Sequence, residues 1–527
     1  MKRNTRYILI TLAAAVVLGG AITALLLTQP AASTEEDSSS SMASSSTEEI
    51  SLYSHEGEDV ASIDVTNAEG GYRILTNVEI IENSSTSSDS ESSSESSSDS
   101  SSSEPQTFVT YYLDGIDQDL QNTSSVSTAA GYCTSLSATR EIGAAGDLDL
   151  SEYGLDDPQL SVTTTLSDGE ESSYSVGDEG PVSGYYVLYD DKVYVSESVG
   201  DALFNNRLEF VNKTILSITP PEDDDEEDSS SDSSSVNEES TNEFTNFTFT
   251  GTNFPQEVQI VPQSESLTSD YRVSVPYKAD AAQEAMTSIT SGVASLTATS
   301  VAAVDPTEEQ MAEFGLDNPL VHMDFTVNGT SYTLISGNAV DGGRYVMLDG
   351  VDVVYVCDDS TVGVWANANL FSLRDSFVLM QNIATINQLT VETPNGTDVF
   401  HLTRTENEES STEDNIVYDY SVEGTDGQDI TYKGVFTTYY QTIIGIQLLD
   451  ETTETEPSGE PMLTVTFDYY DGGDSRTVSY YDIGNRRCLV EVDGSVVGVV
   501  SQSVVQSVVD NTPIVLQNQS INADEEE

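Results

Sequence analysis

Residues 151–158 read SEYGLDDP, and residues 312–319 read AEFGLDNP. The two stretches share an aromatic-Gly-Leu-Asp core, with Tyr153 and Phe314 in the aromatic slot. The residues around them match as well, so the pair marks an internal repeat. The repeat says how the chain is built and does not name a reaction.

In the second copy, Asp305 is expected to N-cap a short helix. Pro306 takes the first helical position and Glu308 stands three residues after the cap, as in a capping box. The helix runs to about Phe314. Gly315 then takes the left-handed position, where a Cβ is penalised, and Leu316 folds back as the apolar residue behind it. Asn318-Pro319 turns the chain into an extended segment. The first copy does the same with Gly154, Leu155 and Pro158. The motif (Tyr153, Gly154, Leu155, Asp156 and Pro158; Phe314, Gly315, Leu316, Asp317 and Pro319) therefore reads as a helix stop feeding a strand. A ligand site at Asp156 and Asp317 is the competing reading, and the helix stop is favoured.

The chain has 527 residues, enough for several domains. Its formal charge of −74 arises from 91 acidic against 17 basic residues. Nucleic acid is excluded as a partner, because phosphates need Lys and Arg. Much of the acid lies in Ser/Asp/Glu tracts with too little apolar surface to fold. The acidic run at residues 223–228 lacks the ligand pattern and central Gly of a calcium loop. Cys133, Cys357 and Cys488 form no close pair, so neither a disulfide framework nor metal spacing is present. His55, His322 and His401 are scattered, which argues against zinc. No cofactor or metal is expected.

Lys2, Arg3 and Arg6 precede an apolar run at residues 7–27, long enough to span a bilayer. The positive flank places the N-terminus in the cytoplasm and the bulk of the chain outside, as a single-pass cell-membrane protein. A cleaved signal peptide is the alternative, since small residues follow at 30–32. The run exceeds a usual signal core, which favours an uncleaved anchor.

The domain plan follows the composition. Residues 1–30 are a stub and transmembrane anchor, and 31–48 a disordered tether. Residues 49–220 form unit one, with a disordered insertion at 83–105. An acidic disordered linker at 221–241 leads to unit two at 242–382. Residues 383–517 form a degenerate unit three with an insertion at 405–415, and 518–527 an acidic tail. Like charges extend such tracts. Between them, Val, Thr and Tyr alternate around Asp-Gly turns, a hairpin signature. GRYVMLDGVDVVYV at residues 343–356 parallels GYYVLYDDKVYV at 184–195, so Tyr345 matches Tyr186 and Tyr355 matches Tyr194. Helices are expected near 126–140, 279–294 and 436–448. Unit three keeps the strands and lacks the helix stop. The expected fold class is α+β: an N-terminal transmembrane helix, then serial modules of antiparallel sheet plus packed helix, separated by acidic Ser-rich disordered linkers.

This order of features, with YGLDDP, GLDNP and their flanking strands, resembles the DUF4340 family. The resemblance covers residues 49–218 and 244–383 well and 386–515 loosely. It implies a bacterial extracytoplasmic protein with one N-terminal membrane segment. It also implies association with ABC-type export systems of the gliding-motility kind, with a permease and an ATPase as partners. The family supplies no catalytic residues to carry over. The long acidic linkers depart from its pattern.

Serine is too common here to mark a nucleophile, and no histidine or cysteine stands in a catalytic spacing. Ninety-one acids make any carboxylate pair a matter of chance. No phosphate-binding Gly-rich loop appears. Tyrosines recur at 185, 186, 345, 439, 440, 469, 470, 480 and 481. In a strand, each adjacent pair puts one ring into the core and one out. Outward rings would suit an envelope glycan or a protein, although Tyr also simply suits sheet faces. The expected function is therefore a non-enzymatic binding or scaffold protein, an accessory subunit of an ABC-type transport system. The alternative is an independent cell-surface glycan or wall-polymer binding module, with a hydrolase behind both.

Overall fold

Three segments alternate side chains with the two-residue period of a strand. Leu160–Leu166, Val321–Val327 and Leu463–Tyr469 each bury their first, third and fifth residues. Each pairs antiparallel with the opening strand of its own unit: Val60–Asn67, Phe244–Thr250 and Ile386–Thr393. The partners at these junctions are apolar, Val65 with Val162, Phe247 with Phe325 and Leu389 with Phe467. These pairs set the register, because a slip by one residue would turn every buried side chain to the opposite face.

A computed structural model describes residues 49–81, 106–221, 241–264, 266, 268–412 and 416–521. In each unit a first meander runs outward from the opening strand, a helix follows, and a second meander runs outward on the other side. The sheets have eight, nine and eight strands. Unit one runs from Gln106–Leu113 at one edge to Arg140–Ala144 at the other. Unit two runs from Ala279–Asp280 to Ser300–Val304. Unit three runs from Asp429–Ile430 to Ser495–Ser501.

The helices are α1 (Thr123–Thr134), α2 (Gln283–Ala294), α3 (Glu308–Phe314), α4 (Asp359–Ala366), α5 (Leu370–Leu373), α6 (Thr437–Ile444) and α7 (Gln502–Leu516). Helices α1, α2 and α6 join the two meanders of their units. Helix α2 packs on α4, and α6 on α7, so units two and three each carry a helix pair. The apolar face of α2 is Met286, Ile289 and Val293. The sole tryptophan, Trp365, is buried on α4. One core runs through units one and two, and a second fills unit three.

Each unit begins earlier than its first long strand. His55 N–H donates to Thr134 O (2.8 Å), Ile218 N–H to Ala294 O (2.8 Å) and Val378 N–H to Ile446 O (2.9 Å). The short strand Thr214–Ser217, upstream of the acidic linker, pairs with Ser295–Thr297 of unit two. Helices α1, α2 and α6 are thus each tied, at or just beyond the C-terminal end, to the segment that enters the unit. In unit one, Gln121 also closes the sheet edge. Its Oε1 accepts from Leu113 N–H (2.7 Å), and its Nε2 donates to Leu113 O (3.0 Å) and Ile116 O (2.7 Å).

The expected fold class and placement are corrected. Strand makes up 45% and helix 22% of the structure, so antiparallel sheet dominates it. Among the described residues no helix is long and apolar enough to cross a membrane. The expected transmembrane helix, and with it the single-pass localisation, is therefore withdrawn. The apolar run at 7–27 on which it rested lies outside the described residues, as do the tether at 31–48, the insertion at 83–105, nearly all of the linker at 221–241 and the tail beyond 521. Part of the insertion expected at 405–415 is ordered: strand Gly396–Glu406 reaches into it, and Asn407 N–H donates to Val417 O (2.8 Å).

Local boundaries shift for identifiable reasons. Asp305 is not the cap of α3. It sits at φ 49 and its N–H donates to Asp352 O (2.8 Å), so a tertiary bond fixes it. Thr307 caps instead, in a capping box with Gln310. Helix α1 stops at Thr134, because residues 135–138 form a strand. Helix α7 had no counterpart in the sequence reading. Its SVVQSVVDNTPIVL carries β-branched valines and an internal Pro513, both poor helix signals, and burial of Val505, Val508 and Val509 holds it.

Candidate functional site

The helix stops have the expected left-handed glycines. Gly154 has φ 65 and Gly315 φ 71. Gly315 N–H donates to Ala312 O (3.2 Å) and Leu316 N–H reaches back to Met311 O (2.9 Å), which closes the last turn of α3. Leu155 N–H makes the same return to Leu150 O (3.0 Å). Leu155 and Leu316 are buried, each 5% exposed.

Both stops dock on a second glycine that sequence reading missed. Gly177, in strand Glu171–Glu179, lies against Tyr153 O, and Gly337, in strand Thr330–Val340, lies against Phe314 O. A Cβ at either position would overlap that carbonyl oxygen and crowd the following leucine. Neither glycine has a left-handed φ, so close approach alone requires it. Both strands are irregular here: their pairing to the next strand shifts between Val176 and Glu179, and between Ser336 and Ala339. The bulges open room for the helix end. Asn338 Nδ2 donates to Glu313 O (2.9 Å), capping the helix carbonyls. Buried Arg344 donates through Nη1 to Gly337 O (3.1 Å).

The aromatic slot completes the dock. Tyr153 packs edge-on against Tyr186, with ring centroids 4.8 Å apart, and Phe314 packs on Tyr345 at 4.5 Å. Unit three lacks the stop, and it lacks the glycine too. Register places Val176, Ser336 and Tyr480 at equivalent positions, opposite Leu160, Val321 and Leu463. The next residues are Gly177, Gly337 and Tyr481. Stop and strand glycine are present together or absent together. Aligning SVGDE at 175–179 with ISGNA at 335–339 is the signal that could have revealed the pair.

Asp156 and Asp317 are exposed, and Pro158 and Pro319 half-buried. The two aspartates stand one in each unit, so the fold does not bring them together as one site. Among the described residues no group of three or more His, Cys, Asp or Glu could hold a metal ion. His55 Nε2 is 2.9 Å from Ser172 Oγ, and His322 Nε2 is 3.7 Å from Asp324 Oδ1. All three cysteines are free and buried. Burial pushes the Cys133 thiol far above its ordinary value, Cys357 up to about 12 and Cys488 up to about 11, the last with help from Asp482. A thiol held in its neutral form is a poor nucleophile.

The tyrosines are engaged internally. Tyr439 and Tyr440 are both buried on α6, against the expectation of one ring in and one out, because a helix and not a strand carries them. Tyr185 packs on Phe204, with centroids 5.4 Å apart. Tyr470 donates to Leu402 O (2.7 Å), and Arg404 stacks between Tyr470 and Tyr418, 4.2 and 4.8 Å from their centroids. Tyr481 donates to Glu491 (3.0 Å). Rings whose faces and hydroxyls are occupied offer little stacking surface to a sugar.

A family model described as "Domain of unknown function (DUF4340)" matches residues 119–225 and 272–432. No curated protein and no solved structure matches the chain.

Proposed function

The chain belongs to the DUF4340 family, and from that premise we propose that it is a non-enzymatic binding and scaffold protein whose three sheet units present surfaces to a partner. The observation that carries this reading is the dock. The feature that units one and two repeat is taken up by the packing of a helix end into a strand bulge. Unit three keeps the same sheet without it. A repeated catalytic site would not be dispensable in this way. The engaged tyrosines favour a protein partner over a glycan, which needs open ring faces.

The test is crosslinking of the full chain in its native cells, followed by affinity purification and mass spectrometry. Specific partner proteins are expected with the wild-type chain. The family resemblance makes an ABC-type permease and its ATPase the first candidates to look for. Recovery of wall fragments alone, or of nothing, would overturn the scaffold reading.

A further inference from the structure

Asn-Gly occurs twice in the chain, at residues 328–329 and 395–396, and each pair stands in the turn of a hairpin. An asparagine before glycine is prone to lose its side-chain amide, because glycine has no side chain to keep its backbone nitrogen from the asparagine Cγ. The dipeptide is the same in both places, and the surroundings differ.

Val327 pairs with Thr330, which leaves Asn328 and Gly329 as a two-residue turn at φ 49 and 78. Both ends of the Asn328 amide are held. Its Oδ1 accepts from Glu243 N–H (2.9 Å), and its Nδ2 donates to Thr219 O (3.3 Å) and Asn242 Oδ1 (2.8 Å). Bringing Cγ onto Gly329 N would break this clamp. Asn395 is exposed, and its side chain makes no hydrogen bond among the described residues. Its backbone N–H donates to Thr393 Oγ1 (3.2 Å). A Cβ at Gly396 would meet nothing within 4 Å, so the turn is uncrowded.

Unit one shows what this turn tolerates. Register aligns Leu389, opposite Phe400, with Ile63, opposite Ile74. Thr393, Asn395 and Gly396 then match Asn67, Glu69 and Gly70. Glu69 N–H donates to Asn67 Oδ1 (3.0 Å), the counterpart of the bond from Asn395 to Thr393. Where unit three has an amide, unit one has an exposed carboxylate.

We propose that Asn395 is a site of spontaneous deamidation in the folded chain, while its clamp protects Asn328. The Gly396 nitrogen gives up its proton and attacks Asn395 Cγ. The Cγ–Nδ2 bond breaks, the amide takes up a proton and leaves as ammonia, and a succinimide closes. Water then opens the ring. Cleavage of the new Cγ–N bond gives aspartate on the original backbone. Cleavage of the original peptide C–N bond gives isoaspartate, with the backbone running through Cγ. Nothing is oxidised or reduced, and water is the only co-reactant. The aspartate gives unit three the carboxylate that unit one already carries, so the fold is kept and the turn gains a negative charge.

The test is peptide mapping by mass spectrometry of the full chain aged in mildly alkaline buffer, beside a sample aged in denaturant. The variant Asn395→Asp supplies the authentic aspartyl peptide, and Asn395→Gln supplies a chain without the site. In the native chain Asn395 is expected to convert at least about tenfold faster than Asn328, because a hydrogen-bonded site reacts only when it opens. In denaturant both sites are expected to convert at similar rates. The Asn395→Asp chain should unfold at the wild-type temperature. An Asn395 that stays intact in the native chain, or equal conversion of the two sites there, overturns the proposal. So does a difference that persists in denaturant, since sequence and not structure would then decide.

Discussion

Gly337 lies against the carbonyl oxygen of Phe314, and the same relationship joins Gly177 to Tyr153. In each pair a helix end meets a strand bulge, backbone on backbone. The left-handed glycine one residue on, Gly315 or Gly154, turns the chain away from the contact. Two glycines with different physical reasons therefore make one joint: Gly315 for its φ of 71, Gly337 for its lack of a Cβ.

Gly315→Val is expected to destabilise unit two. The left-handed backbone costs a residue with a Cβ about 1–2 kcal/mol, and the new Cβ would stand 2.6 Å from Asn338 Oδ1. Asn338 would have to give up its bond to Glu313 O, which adds to the loss. Thermal unfolding of the full chain checks this, and an unchanged transition would contradict the capping geometry.

Gln121→Leu is expected to cost about 1–3 kcal/mol, because it leaves backbone groups of Leu113 and Ile116 without a partner. Hydrogen exchange at Leu113 reads it directly. Loss of protection there, with unit three unaffected, is the predicted result.

Alkaline pH is expected to destabilise the fold. Burial raises Cys488 to about 11, and Cys357 and Tyr469 to about 12. In the unfolded chain thiols ionise near about 8.5 and tyrosines near about 10. As pH rises, the unfolded state therefore loses its protons first. Stability is fully present below about pH 8.5 and declines as pH climbs through 11 toward 12, by about 1.4 kcal/mol for each unit separating the folded and unfolded values. A denaturation midpoint that stays level to pH 11 would contradict the burial of these groups.

The cysteines are expected to be inert in the native chain. A thiol reagent at neutral pH should label none of the three until denaturant is added, and then all of them. Rapid labelling of Cys133 in the native state would show that the core of unit one opens.

The repeat and the helix stop were legible because they rest on local chemistry: a positive-φ glycine, a returning leucine, Asp-Gly turns and a two-residue alternation. Their partners were not. Gly177 and Gly337 have ordinary backbone angles and are required only by a chain segment more than twenty residues away. The start of α3 was misplaced because Asp305 and Thr307 can both cap, and a bond to Asp352 decides between them. Helix α7 was missed because valine favours strands until tertiary burial overrides it.

The central claim, that the repeated motif builds the scaffold rather than holding a ligand, is tested most directly by denaturation of three single variants of the full chain. Gly337→Ala is expected to lose about 1–3 kcal/mol, because the clashing atom is backbone and cannot move aside. Gly292→Ala, in α2 with nothing nearer its Cβ than Thr361 O at 3.6 Å, should gain up to about 1 kcal/mol. Asp317→Asn, on an exposed residue, should stay within about 0.5 kcal/mol of the wild type. A stable Gly337→Ala chain, or an Asp317→Asn chain that keeps its fold and loses its partner, would contradict the account.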